Sequence, residues 1–194
     1  MHAAPVSMGW RHALIVGGTG MLAGASRFIA ARTQTTSLLA RTQASLSSLR
    51  QSLPAHLDVA TTAVDYRSAQ AFSEAIRIRV EAAGAPDVVL AWIHAEHAAQ
   101  ALAAQLASYG STLRFFHVLG SASASPAASL LRRRMHYDAL PGLSYHQIVL
   151  GFICDERGSR WLCDDEIAQG TIQAVSAGAP KHVVGVVEPW EARP

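Results

Sequence analysis

The sequence predicts an α/β fold: a doubly wound parallel sheet of about seven strands with helices on both faces, three α/β/α layers in all. Three observations predict it. Short, nearly continuous apolar runs recur at 11–16, 87–93 and 113–119, the pattern of strands buried on both faces. Helical stretches separate them, and strand–helix alternation favours a parallel sheet with right-handed crossovers. The first run passes straight into a glycine-rich turn, His12-Ala13-Leu14-Ile15-Val16-Gly17-Gly18-Thr19-Gly20-Met21-Leu22-Ala23-Gly24.

The elements follow in order. Arg11 to Val16 reads as the first strand. Met21 to Arg32 reads as a helix, with Leu22, Ala25, Phe28 and Ile29 at helical spacing. Thr35 to Ala40 is a second strand, ending at Arg41. Thr42 suits the N-cap of a helix that carries Leu46, Leu49 and Leu53. Leu57 to Val64 alternates as a third strand, with Asp65 and Tyr66 at its carboxyl end. Ser68 to Ala83 places Ala71, Phe72, Ala75, Ile76 and Val80 on one helical face, and Gly84-Ala85-Pro86 stops it.

Asp87 to Ile93 is a fourth strand. Ala95 to Tyr109 is an alanine-rich helix ended by Gly110. Leu113 to Leu119 is a fifth strand, followed by Gly120-Ser121. Ser125 to Arg134 is a short helix, and Leu143 to Ile153 contains a sixth strand. Asp164 to Ala177 is a helix whose acidic first turn, Asp164-Asp165-Glu166, suits the positive end of its dipole. His182 to Val187 is a seventh strand.

The 194 residues suit one domain, 11–194, behind a loose leader at 1–10. Half the residues are hydrophobic and 15% are charged, a globular composition. No apolar run approaches a bilayer span, so no membrane partner is expected. Met1 to Trp10 lacks the basic and apolar regions of a secretory signal. A net charge of +2 gives no argument for a nucleic-acid partner. Cys154 and Cys163 make neither a disulfide framework nor a metal site; they read as reduced thiols of a cytoplasmic protein.

The glycine turn has a chemical use. Gly17 permits a tight bend after the strand, and Gly20 lets a ligand's phosphates approach the backbone. Ala23 stands where a third glycine would allow close packing of helix on strand. A helix beginning at Met21 would offer free N–H groups to an anion. Gly17, Gly18, Thr19, Gly20, Met21 and Leu22 are thus expected to cradle a dinucleotide pyrophosphate. No Gly-Lys-Ser/Thr follows, which argues against a phosphate loop of the nucleotidase kind. At the end of the second strand an NAD-preferring site places a carboxylate, roughly 20 residues after the glycines. Here stand Ala40 and Arg41. No carboxylate repels a 2′-phosphate, and a guanidinium can pair with one, so NADP(H) is expected over NAD(H). A solvated arginine before a helix is the plainer alternative.

With these residues in place, the chain resembles the short-chain dehydrogenase/reductase superfamily, and among its members the small, atypical ones. The resemblance implies a Rossmann sheet in the order 3-2-1-4-5-6-7. It also implies that Asp65 and Tyr66 lie beside an adenine ring. Ala91, Trp92, Ile93 and His94 would occupy the place of the family's Asn-Ala-Gly segment against the cofactor. Leu119-Gly120-Ser121 matches the strand end where the family keeps a catalytic serine.

The chain departs from the family at its acid/base pair. There is no Tyr-x-x-x-Lys: Tyr137 is followed at that spacing by Pro141, Tyr145 by Val149 and Tyr109 by Leu113. The only lysine is Lys181. Histidines are the candidate replacements, and His94 with Ser121 could form an acid–base pair. The plainer reading has His94, Glu96 and His117 simply hydrogen-bonded in place. No metal site is expected. Arg132-Arg133-Arg134 reads as a basic helix end or as a contact for a substrate anion. Ala98, Ala101, Leu102 and Gln105 form a stripe that the resemblance suggests as a homodimer surface; packing on the sheet is the alternative.

Two functions follow. The first is an NADP(H)-binding oxidoreductase with a non-standard acid/base group and a small-molecule substrate. It requires an open polar pocket lined by His94, Ser121 and Tyr145. The second is a catalytically inactive dinucleotide-binding sensor or regulatory protein, in which the nicotinamide position is blocked, for instance by Trp92.

Overall fold

The structure, a computed structural model, describes residues 9–120, 127–156 and 158–194. Its strands are β1 (Trp10–Val16), β2 (Thr33–Ala40), β3 (Asp58–Ala63), β4 (Val88–Ala91), β5 (Leu113–Leu119), β6 (Leu143–Leu150), β7 (Phe152–Asp155), β8 (Gly158–Trp161) and β9 (Lys181–Val184). Seven of them form one parallel sheet in the order β3-β2-β1-β4-β5-β6-β9. This is the expected arrangement, with β9 as the seventh strand. The helices are α1 (Ala23–Ala30), α2 (Gln43–Gln51), α3 (Ala69–Ala83), α4 (Glu96–Ala107), α5 (Ala127–Asp138) and α6 (Asp164–Ala177).

Alternation along β1 divides the core. Ala13 and Ile15 join Leu22, Ile29, Leu46 and Val175 under α1, α2 and α6. Leu14 and Val16 join Phe72, Ile76, Leu102 and Phe115 under α3 and α4. Successive strand side chains point to opposite faces, so one apolar run serves both helical layers. Ala13 to Val16 are at most 2% exposed. Strand order reverses about β1, which pairs with β2 on one side and β4 on the other. A crevice opens at the carboxyl ends of strands at such a reversal.

Local chemistry sets several boundaries as expected. The Thr42 side chain accepts a hydrogen bond from the Ser45 N–H and caps α2. Glu166 accepts the Cys163 N–H at 2.9 Å and pairs with Arg160, closing the first turn of α6.

Other boundaries move. Trp10 belongs to β1 rather than to a leader; residues 1–8 lie outside the described ones. The first helix begins at Ala23, not Met21, because Gly18 to Leu22 form a turn closed by the Ala23 N–H on the Gly20 carbonyl at 2.8 Å. The run 143–153 is two strands. Gly151 lies hard against the Val186 carbonyl, β6 stops at Leu150, and the chain leaves the sheet as a β7–β8 hairpin. The helix expected to end at Arg134 continues to Asp138. The arginine run is therefore mid-helix, with Arg133 paired to Glu96 and Arg134 to Asp138. The alanine stripe is divided, with Ala101 exposed. Ala98 and Leu102 are buried, and Gln105 donates to the Ser73 carbonyl of α3 at 2.9 Å. Among the described residues no helix is long and apolar enough to cross a membrane.

Candidate functional site

A cleft of about 430 Å³ opens at the carboxyl ends of β1 to β4. Its floor is the glycine turn. Gly17 has φ +74°, and a Cβ there would stand 2.5 Å from the Trp92 carbonyl oxygen. The Gly17 N–H donates to Leu39 and the Trp92 N–H to Val16, both at 2.9 Å, so the turn is laced to β2 and to the end of β4. The residue at 17 must be glycine on both counts. Gly20 is different: nothing lies within 4 Å of where its Cβ would be.

The six residues expected to form the cradle divide. Gly17 and Thr19 line the cleft, and Met21 lines an adjoining hollow. Gly18 faces inward, its carbonyl accepting the Ser26 hydroxyl at 2.8 Å, and Leu22 is fully buried in the core.

The ends of β2 and β3 supply the polar wall. Ala40 and Arg41 line it, with Thr42 and Ser45 beyond them. Asp65 and Tyr66 also line it, and so does Arg67, which the sequence reading did not single out. The Asp65 carboxylate accepts the Arg67 N–H at 2.9 Å, a local turn. The Asp-x-Arg spacing was the available signal. Arg41 and Arg67 thus share one cleft, and neither has an ion pair among the described residues.

The end of β4 supplies the far wall. Trp92 and His94 line the cleft, with ring centroids 4.4 Å apart in an edge contact. Ala91 and Ile93 are buried and contribute packing to the core rather than surface to the cleft. Beyond Trp92 lies the adjoining hollow, about 230 Å³, lined by Met21, Trp92, Gly120, Leu150, Gly151, Trp161, Leu162 and Ile167. Every side chain lining it among the described residues is apolar. The hairpin that places Trp161 there was not foreseen.

The expected grouping of His94, Ser121 and Tyr145 does not hold for Tyr145, and Ser121 lies outside the described residues. Tyr145 projects into the α3/α4 side of the core and is 2% exposed. Its ring stacks on Tyr137 at 4.0 Å, and its hydroxyl lies 2.9 Å from His117 Nδ1. Tyr137 in turn donates to Glu96 at 3.3 Å, and Arg133 Nε donates to the other Glu96 oxygen at 2.6 Å. Burial pushes both phenols up and the His117 imidazole down to about 4, with Glu96 opposing the His117 shift. His117 is therefore a neutral core histidine, the plainer of its two readings.

No protein-family model and no curated protein sequence matches the chain. Solved structures do resemble it. A short-chain dehydrogenase/reductase from Serratia marcescens superposes with a TM-score of 0.70 at 16% identity, over 94% of this chain and 98% of that one. A bulky-bulky ketone specific alcohol dehydrogenase from Comamonas testosteroni gives 0.67 at 14%, over 93% and 89%. An enoyl-(acyl-carrier-protein) reductase from Anaplasma phagocytophilum, solved in complex with NAD, gives 0.67 at 11%, over 95% of each chain. At these identities the likeness speaks to architecture, and the chain has the Rossmann-like fold of short-chain dehydrogenase/reductase structures.

Proposed function

We propose that the chain binds a nicotinamide dinucleotide in the cleft, NADP(H) in preference to NAD(H), and acts as a cytoplasmic oxidoreductase with a non-standard acid/base group. One observation carries the reading: a glycine turn with open space at Gly20 leads into a cleft flanked by two arginines, Arg41 and Arg67, without ion pairs among the described residues. In this reading Gly17, Thr19 and Gly20 hold the pyrophosphate. Asp65 and Tyr66 face the adenosine, and the two guanidiniums hold a 2′-phosphate. The bound cofactor would supply hydride chemistry to a small carbonyl or alcohol substrate. His94, exposed on the cleft wall, is the side chain proposed to hold or deliver the proton at a ring nitrogen. Ser121 is proposed as its hydroxyl partner; the reading does not use Tyr145. A homodimer is also proposed, with Ala101 the exposed member of the α4 stripe.

The second reading, a non-catalytic dinucleotide-binding protein, is favoured by the absent Tyr-x-x-x-Lys and by Trp92 standing where the cleft meets the apolar hollow. Calorimetric titration with NADP, NADPH, NAD and NADH tests both readings. A carbonyl-substrate screen followed by NADPH absorbance then separates them. Binding with turnover that falls in His94→Ala supports the oxidoreductase. Binding without turnover, unchanged in His94→Ala, supports the second. No binding of any dinucleotide overturns both.

A further inference from the structure

The cleft and the apolar hollow are two lengths of one crevice along the carboxyl edge of the sheet. The first lies over the ends of β3, β2 and β1; the second lies over β5 and β6. Trp92, just past the end of β4 and between them, lines both. Its backbone is held, the N–H bonded to Val16 and the carbonyl closed against Gly17. Its indole reaches across to β5, with Cη2 3.8 Å from where a Cβ on Gly120 would stand. The His94 ring packs edge-on against it from the cleft side. Among the described residues, the Trp92 indole stands at the crossing between the two lengths.

We propose that Trp92 is a specificity-determining gate, closed to the nicotinamide half of a dinucleotide and indifferent to the adenosine half. This rests on the dinucleotide reading above. An adenosine bisphosphate fits within the first length, where Arg41, Arg67, Asp65 and Tyr66 stand. An intact dinucleotide spans both lengths and must displace the indole from Gly120 and His94. Affinity for a ligand that needs a minor conformer falls by the fraction of time that conformer is present. The gate therefore lowers affinity for NADP and leaves affinity for the half-ligand alone.

Titration of wild type, Trp92→Ala and Trp92→Phe with NADP and with adenosine 2′,5′-bisphosphate tests this. Wild type is expected to bind the two ligands with similar affinity. Trp92→Ala is expected to bind NADP about tenfold tighter, with the bisphosphate changed by less than about twofold. Trp92→Phe, which keeps an aromatic ring but loses the one that reaches β5, is expected to fall between. It also serves if the alanine variant does not fold. A wild type that binds NADP far more tightly than the bisphosphate, or a ratio that neither variant moves, overturns the gate and leaves the dinucleotide reading standing. If wild type binds neither, and NAD and AMP fare no better, the dinucleotide reading fails and the gate with it. If NAD and AMP bind instead, their ratio is read in the same way.

Discussion

Arg133 Nε donates to Glu96 Oε2 across 2.6 Å, joining the middle of α5 to the first turn of α4. The pair sits over His117, Tyr137 and Tyr145, and Tyr137 and Gln100 both donate to the other Glu96 oxygen. The Arg133 side chain is 17% exposed and that of Glu96 35%, so water screens the pair only in part. One carboxylate serves three donors from two helices. Glu96→Gln is expected to cost about 2 kcal/mol in urea denaturation, because it leaves a largely buried guanidinium without its counter-charge. Glu96→Gln combined with Arg133→Met is expected to cost less than the two changes summed. Additive losses would show that the ion pair contributes nothing.

His117 makes stability depend on pH. Its folded pKa is lowered to about 4 by burial, below the value of 6.5 for an exposed imidazole. Between those values the unfolded chain takes up a proton that the folded chain refuses. Stability is therefore full above about pH 6.5 and falls as the pH drops through the window toward 4. The full effect of such a shift is about 3 kcal/mol. His12 and His146 are also lowered by burial and add slopes of the same sign. His117→Gln should flatten the wild-type slope between pH 6.5 and 4 without abolishing it. Parallel curves for the two proteins would refute the assignment.

The glycines of the turn should separate in their effects. Gly17→Ala forces a Cβ into positive φ and against the Trp92 carbonyl, an expected cost of about 3 kcal/mol. Gly20→Ala meets open space and is expected to alter the thermal midpoint by the equivalent of less than about 0.5 kcal/mol. Its new methyl would stand where the proposed pyrophosphate approaches, so dinucleotide affinity should fall about tenfold or more. A stable Gly20→Ala protein with undiminished affinity would remove the pyrophosphate from this turn.

Arg41 and Arg67 should act on cofactor choice. Arg41→Ala and Arg67→Ala are each expected to weaken NADP binding about tenfold while leaving NAD within about twofold, since only NADP carries the 2′-phosphate. Equal losses for both cofactors would assign the arginines to the pyrophosphate instead.

Much of the fold was legible along the chain. The limits of β5 and α6 coincide with those read from periodicity and from the acidic first turn. Thr42 caps its helix as its residue type suggests. Misreadings came where a distant residue decides. Nothing near Gly151 announces that the Val186 carbonyl will press against it and end β6. The arginine run resembled a helix end because, apart from Asp138 one turn on, its partners Glu96 and Pro180 come from elsewhere in the chain. Tyr145, expected to line the pocket, faces the side of the sheet that carries Tyr137, His117 and the α4 helix.

The sequence by itself determined the seven strands of the parallel sheet, the alternation that makes it parallel, and the turn that must contain glycine. These follow from local periodicity, caps and backbone freedom, which a chain displays in order. The tertiary structure decided which side chains share a space. It brings Arg67 beside Arg41, lays Trp92 across the crevice and turns Tyr145 inward. Those outcomes depend on which strands become neighbours and which helix covers each face. Both are settled by packing between segments far apart in the chain.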